Sequence, residues 1–180
     1  MKKQLIVSAI ASVLAVSAYA DGPSFDFIEG GYADAYETDG FLIRGNASIT
    51  DQVFFTGSYE SVGEQSVDLN STLLGFGYRI FDDNSSTLYT QLAYFDFEVD
   101  SPLGSDSEDG FQLGLGYRSQ LSAQTQLYTE LNHLEVDSDS LTQVVIGLRQ
   151  NFTPELGGFF EAKTDDFDND GFAVGLTYNF

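Results

Sequence analysis

The chain has one histidine and no cysteine, and this narrows the chemistry its side chains can perform. Disulfides, thiolate metal sites and a cysteine nucleophile are all excluded. His133 shares its alternation with Glu135, and Ser138 follows, so a hydroxyl, an imidazole and a carboxylate lie close together in the chain. In an extended segment Ser138 falls on the opposite face from the other two. The sequence therefore predicts no assembled Ser-His-acid triad and no enzyme. A second constellation, Asp166-Phe-Asp168-Asn-Asp170-Gly171, begins like a calcium-binding loop with alternating carboxylates and then glycine. Its twelfth position is Thr177 where a bidentate glutamate is needed, which removes the EF-hand reading. Asp166, Asp168 and Asp170 remain candidates for weak, exchangeable divalent-cation contact, and no resident metal or cofactor is expected.

The third constellation is dispersed. Arg44, Arg79, Arg118 and Arg149 recur along the chain, and Glu29, Glu130, Glu161 and Lys163 stand in segments of matching alternation. If these side chains share one interior, they form an ion-pair network. The element that would put them there is the alternating strand, shown most cleanly at the end of the chain. Phe172, Val174, Leu176, Tyr178 and Phe180 alternate with Gly171, Ala173, Gly175, Thr177 and Asn179, giving one greasy face and one small or polar face.

That pattern repeats in segments at about 25–34, 39–49, 52–61, 69–80, 87–98, 109–121, 124–136, 141–152, 155–164 and 169–180. Asp109-Gly-Phe-Gln-Leu-Gly-Leu-Gly-Tyr117 is echoed by Asp170-Gly-Phe-Ala-Val-Gly-Leu-Thr-Tyr178, which supports a hairpin repeat. The expected fold is all-β, a closed antiparallel transmembrane barrel of ten strands, with eight as the alternative. Outward faces are apolar, as in Phe41 and Ile43, Leu74 to Ile80, Phe111 to Tyr117 and Val144 to Phe152. An arginine facing lipid near the midplane would cost about 2–4 kcal/mol, so the same phasing must turn the four arginines inward. Small residues at Gly171, Ala173, Gly175 and Thr177 leave space, and the arginines and Glu161 are expected to lean into it. The phase of the first and fifth strands is open, because Phe25, Phe27, Tyr89, Phe95 and Phe97 share a parity with polar residues. Either a bulge or a partly apolar lumen would accommodate them.

Lys2 and Lys3, the apolar run Leu5 to Val16, and Ala18-Tyr19-Ala20 have the order of a cleavable export signal, so residues 1–20 are expected to be removed and 21–180 to form the barrel. Beyond them the chain keeps five basic residues against 28 acidic ones, a formal charge of −23. Such a chain repels nucleic acid phosphates. The connections fall into two sets: short ones at Thr50-Asp51, Phe81 to Ser86, Ser122-Ala123 and Thr153-Pro154, and longer acidic ones at 35–38, 62–68, 99–108, 137–140 and 165–169. The first set suits periplasmic turns and the second extracellular loops. Phe81, Tyr117, Phe152, Tyr178 and Phe180 then form a belt near the short turns, and Tyr36, Phe41, Tyr59, Phe97, Phe111 and Phe172 one near the acidic loops.

The export signal, the alternation, the absence of cysteine and the Tyr-Asn-Phe terminus resemble the small outer-membrane barrels of Gram-negative bacteria, the OmpX and OmpA-barrel type. Phe27-Ile-Glu-Gly-Gly-Tyr32, Asp39-Gly-Phe and Gly75-Phe-Gly-Tyr-Arg79 resemble the Ax-twenty-one group of porin-like outer-membrane proteins. The resemblance implies a location in the outer membrane, contact with its lipid and lipopolysaccharide, and reading of Tyr178 and Phe180 by the barrel-assembly machinery. The omptin surface proteases also have ten strands, but Leu131 stands where their Asp-His pair needs an aspartate. The function expected is that of a porin-like or structural barrel with a polar, ion-paired lumen and an acidic cell-surface end. A surface adhesin or ligand-binding barrel acting through its loops is the alternative, and an outer-membrane hydrolase ranks last.

Overall fold

The computed structural model describes residues 23–35, 38–64, 67–83, 85–136, 139–167 and 169–180. The expected export signal, Tyr36, Ser138 and Asp168 lie outside them. Ten strands follow one another: β1 (Phe27–Ala35), β2 (Thr38–Ser48), β3 (Val53–Glu64), β4 (Val67–Asp82), β5 (Ser86–Ser101), β6 (Gly104–Gln120), β7 (Thr125–Val136), β8 (Asp139–Asn151), β9 (Leu156–Asp165) and β10 (Asp170–Asn179). Each pairs antiparallel with its sequence neighbours, and β1 pairs with β10 to close the barrel. At that seam the strands need glycine. A Cβ on Gly31 would lie 2.6 Å from the Gly175 Cα, and one on Gly175 would lie equally close to the Gly31 Cα.

Burial alternates with the period of the strands. In β6, Gly110, Gln112, Gly114, Gly116 and Arg118 are buried, whereas Phe111, Leu113, Leu115 and Tyr117 are exposed. The same order, polar inside and apolar outside, runs round the wall through Ile43, Phe76, Ile146 and Leu176. Water would penalise such a surface; a lipid surround satisfies it, with the backbone of the wall paired strand to strand around a closed ring. Aromatic pairs stud the outer face: Tyr32–Phe172 and Phe41–Tyr59, each at 5.8 Å between ring centroids, and Tyr94–Phe111 at 6.2 Å. Phe81, Tyr117, Phe152, Tyr178 and Phe180 are exposed at the opposite end.

Two features differ from the sequence reading, and a third settles a point that it left open. Much of what reads as acidic loop is strand: β5 and β6 pair from Ser101↔Gly104 downward, β3 and β4 from Glu64↔Val67, and β7 and β8 from Val136↔Asp139. Acidic side chains obscure this because strand propensity scales count them against a strand, while the backbone ladder tolerates them where both faces meet water. Gly104, at φ 138°, takes the left-handed turn position after Pro102-Leu103. Second, Phe97 leaves the outer aromatic belt: it shares the inward parity of Tyr89, Gln91 and Phe95 and lines the lumen. Third, β1 and β5 are regular and the lumen is partly apolar, with Phe25, Phe27, Phe54, Tyr89 and Phe159 all buried. The one recorded register shift lies between Arg79 and Phe81, where Ile80 is skipped in the pairing with β5.

Candidate functional site: the filled lumen and its outer vestibule

The inward face of three hairpins repeats a local motif. Phe54 pairs with Gly77, Tyr89 with Gly116 and Tyr128 with Gly147. In each pair the ring lies over the glycine, so that an added Cβ would fall 2.0–2.2 Å from a ring carbon. An aromatic laid across a strand glycine shields the backbone and fixes the ring. Two residues after each glycine comes an arginine: Arg79, Arg118 and Arg149. The wall thereby delivers guanidinium groups and ring faces to the same level of the lumen.

They interleave. Arg79 lies 6.0 Å from the Phe54 ring centroid and 4.4 Å from that of Phe25; Arg118 lies 3.9 Å from Phe25 and 5.3 Å from Phe27. Arg149 lies 4.1 Å from Phe27 and 4.4 Å from Tyr128, and Arg44 lies 5.7 Å from Tyr128 and 5.0 Å from Phe159. Phe54, Arg79, Phe25, Arg118, Phe27, Arg149, Tyr128, Arg44 and Phe159 thus form one alternating chain of rings and cations across the barrel. Cation–π contacts contribute about 0.5–1 kcal/mol when exposed and about 2 kcal/mol or more when desolvated, as here. Phe25 belongs to no strand. It comes from the segment before β1, which enters the mouth at the short-turn end and packs between two arginines, Phe54 and Tyr89.

The carboxylates complete the filling. Glu29, fully buried, accepts from Arg149 Nε at 2.6 Å, Arg149 Nη2 at 3.2 Å, Arg44 Nε at 2.7 Å and Thr177 Oγ1 at 2.8 Å. Glu161 accepts from Arg44 Nη1 and from Tyr128 Oη at 2.7 Å. Glu130 accepts from Tyr89 Oη rather than from an arginine. Nearer the acidic end Lys163 Nζ donates to both oxygens of Glu60, at 2.6 and 2.8 Å. Glu60 is a partner that sequence reading missed; its even-numbered inward parity with Phe54 and Thr56 in β3 was the available signal.

The expected convergence on β10 is thus partial. Arg44 and Arg149 reach Glu29, which Thr177 holds in place, and Glu161 joins through Arg44. Arg79 and Arg118 turn instead to the short-turn mouth, where the Phe25 ring holds them: Arg118 Nη1 donates to the Ser24 carbonyl at 2.9 Å, and Arg79 Nη1 donates to the Asp51 carbonyl at 2.8 Å. Nε of both is buried without a hydrogen-bond partner, facing rings instead of acceptors.

Above this filling lies a cavity of about 180 Å³. It extends from Phe27 and Arg118 past Gln91, Gln112 and Asn132 to Phe97, Leu141 and Lys163 at the acidic end. The remaining sequence candidates lie elsewhere. His133 is on the outer face, its Nδ1 3.2 Å from Thr142 Oγ1, and Glu135 is exposed beside it. Asp166 Oδ1 accepts from the Thr142 backbone N–H, and Asp165 Oδ1 accepts from the backbone N–H groups of Phe167 and Asn169. Among the described residues no group of three or more His, Asp or Glu is placed to hold a metal.

No protein-family model matches the chain, and no curated protein matches it in sequence. Solved structures do match in fold. The chain is similar to the KdgM porin at 9% identity and TM-score 0.52, with 86% of this chain and 99% of that one covered. Weaker likenesses are to the NanC porin, at 7% identity and TM-score 0.47 with 86% and 100% covered, and to Ail, the attachment invasion locus protein of Yersinia pestis, at 15% identity and TM-score 0.43 with 87% and 100% covered. At such identities the first of these establishes one thing, that the wall has the fold of a small porin barrel.

Proposed function

We propose that the chain is an outer-membrane barrel, porin-like in its wall, whose lumen is shut on the periplasmic side and which works from the cell surface through its outer vestibule and acidic strand ends. The observation that carries this reading is the alternating ring and guanidinium chain, closed by Phe25 and tied down by Glu29. A conducting pore needs a continuous wet path, and here the narrow half is packed with paired side chains, as the small interior of such a barrel permits. No catalytic step is assigned. Outer-membrane lipid and lipopolysaccharide form its surroundings, with Tyr178 and Phe180 offered outward for recognition during assembly. The motifs around Phe27–Tyr32 and Gly75–Arg79 favour the Ax-twenty-one group as the narrower relation.

The test is single-channel recording of the refolded mature protein in planar bilayers. No step conductance is expected from the unmodified barrel, and regular steps would overturn the closed reading. A gated porin is the second reading. It is favoured by one observation, that the plugging ring comes from a segment outside the wall, and it requires steps that appear only when that segment is released.

A further inference from the structure

The cavity above the plug contains a group of amides that the ion-pair network does not use. Gln91 on β5, Gln112 on β6 and Asn132 on β7 are 6%, 6% and 4% exposed, so each is more than nine-tenths buried. Asn132 Oδ1 accepts from Gln91 Nε2 at 3.4 Å and from Gln112 Nε2 at 3.3 Å. This fixes the three amides against each other and leaves Gln91 Oε1, Gln112 Oε1 and Asn132 Nδ2 without a protein partner among the described residues. All three residues line the cavity. Gly114, paired with both Gln91 and Asn132, makes the room: a Cβ there would lie 2.6 Å from Gln91 Cγ and 2.7 Å from Asn132 Oδ1. These atoms are not sealed off like Arg79 Nε and Arg118 Nε, so they open onto the cavity and present two acceptors and a donor to whatever fills it.

The charges around the cavity are already engaged. Of the ionised groups that line it, Arg44, Arg149 and Lys163 are paired with carboxylates, Arg118 is held by the Ser24 carbonyl and the Phe25 and Phe27 rings, and Glu130 accepts from Tyr89 Oη, so each already has a partner in the wall. At the mouth the acids of β4, β5 and β6 repel anions. The wall nearest the amides also carries Phe95 and Phe97, whose rings lie 6.4 Å apart and within 13° of parallel. Hydroxyl groups both donate and accept, so a neutral ring bearing adjacent hydroxyls satisfies two acceptors and a donor at once while its C–H face meets the phenyl rings.

We propose that Gln91, Gln112 and Asn132, with Phe95 and Phe97, form a binding site in the outer vestibule for a neutral polyhydroxylated molecule of about one sugar ring. The site goes beyond the closed-barrel reading and does not depend on it: conductance tests that reading and binding tests this one.

The experiment follows the side-chain amide signals of the isotope-labelled mature protein in detergent micelles during titration with D-glucose and myo-inositol, with D-glucuronate and D-glucosamine as charged counterparts. The amide signals of Gln91, Gln112 and Asn132 are expected to shift saturably with at least one neutral probe, and roughly tenfold more weakly or not at all with the charged ones, the scale of one unsatisfied buried partner. Asn132→Leu is expected to abolish the response. Gln112→Met, which keeps side-chain length and so preserves the fold, is expected to weaken it. No saturable shift with either neutral probe, tightest binding by a charged one, or an unchanged response in folded Gln112→Met would each overturn the proposal.

Discussion

Arg149 on β8 and Glu29 on β1 meet side-on, Nε to Oε1 at 2.6 Å and Nη2 to Oε2 at 3.2 Å, although β9 and β10 separate their strands in the wall. The pair therefore spans the lumen, and the same carboxylate also holds Arg44. Removing its charge leaves Arg149 without a carboxylate and Arg44 with Glu161 alone. Such a loss typically costs about 3–5 kcal/mol, much more than an exposed pair is worth. Glu29→Gln is expected to lower the urea midpoint of the folded barrel clearly, whereas Glu155→Gln in an exposed turn should leave it unchanged. The readout is far-UV circular dichroism, since the protein has no tryptophan.

Phe25 is the removable member of the filling. Its ring centroid is 3.9 Å from Arg118 and 4.4 Å from Arg79, and the ring packs in one buried cluster with Phe54 and Tyr89. Phe25→Ala should leave the strand ladder intact and create a void of about one ring at the short-turn mouth. Planar-bilayer recording is expected to show small, flickering steps in this variant against a silent parent. Silence in both would mean that Glu29 and the arginines close the lumen without help from the plug.

How far the sequence could be read follows from which residues distinguish the two faces. Along Phe111–Tyr117 of β6 and Phe172–Tyr178 of β10 the outward residues are large and apolar and the inward ones small or polar, so alternation alone fixes their phase. On β1 and β5 both faces carry large apolar residues: Ile28 and Tyr32 outside against Phe27 inside, Leu92 and Tyr94 outside against Tyr89 and Phe95 inside. Only the lumen arginines, which need ring faces to stack on, settle the phase, and that requirement is tertiary. Inward placement of the four arginines is legible from the cost of exposing them to lipid. The partners are not, because Glu29 meets Arg149, and Glu60 meets Lys163, only once β1 closes on β10.

The ring-over-glycine pairs give a steric prediction. In Gly116→Ala the new methyl would sit 2.1 Å from Tyr89 Cζ, and in Gly77→Ala 2.0 Å from Phe54 Cζ. Both rings are fully buried and already held by neighbouring arginines, so they cannot swing aside freely. Overpacking of this kind costs about 1–3 kcal/mol. Gly30→Ala is the control, since its Cβ would meet only the Leu42 carbonyl oxygen at 3.9 Å. Urea midpoints should fall for the first two variants and hold for the third; equal effects would show that strand propensity, not the ring contact, is what matters.

Asp83, in the turn between β4 and β5, supplies a pH prediction outside the membrane span. Its carboxylate Oδ1 accepts from the Ser85 backbone N–H at 2.8 Å, the Ser86 backbone N–H at 2.7 Å and the Ser85 hydroxyl at 2.9 Å. These bonds favour the ionised form and hold its pKa below the usual aspartate value. A depressed folded-state pKa means that the turn's stabilisation is present above the ordinary aspartate pKa and is lost as pH falls through the folded value. The protection factors of the Ser85 and Ser86 amides, measured relative to intrinsic exchange at each pH, are expected to fall on acidification below that point, and to be low and less pH-sensitive in Asp83→Ala.

The last prediction concerns the acidic end. The β5–β6 ladder places Asp96 directly opposite Asp109, and the β4–β5 ladder places Asp68 opposite Asp100. Like charges facing across a strand pair destabilise it by a few tenths to about 1 kcal/mol. The backbone pairing is nevertheless kept out to Ser101↔Gly104, so the outer hairpin stands against its own repulsion. Because these groups meet water, salt should relieve the strain: at about 0.15 M ionic strength the screening length is roughly 8 Å, and lower salt extends it. Asp96→Asn is therefore expected to slow amide exchange in residues 97–108 at low ionic strength and to have little effect at high salt. The same protection in both salts, in parent and variant alike, would mean that the hairpin is held by its backbone ladder alone and that the facing carboxylates do not interact.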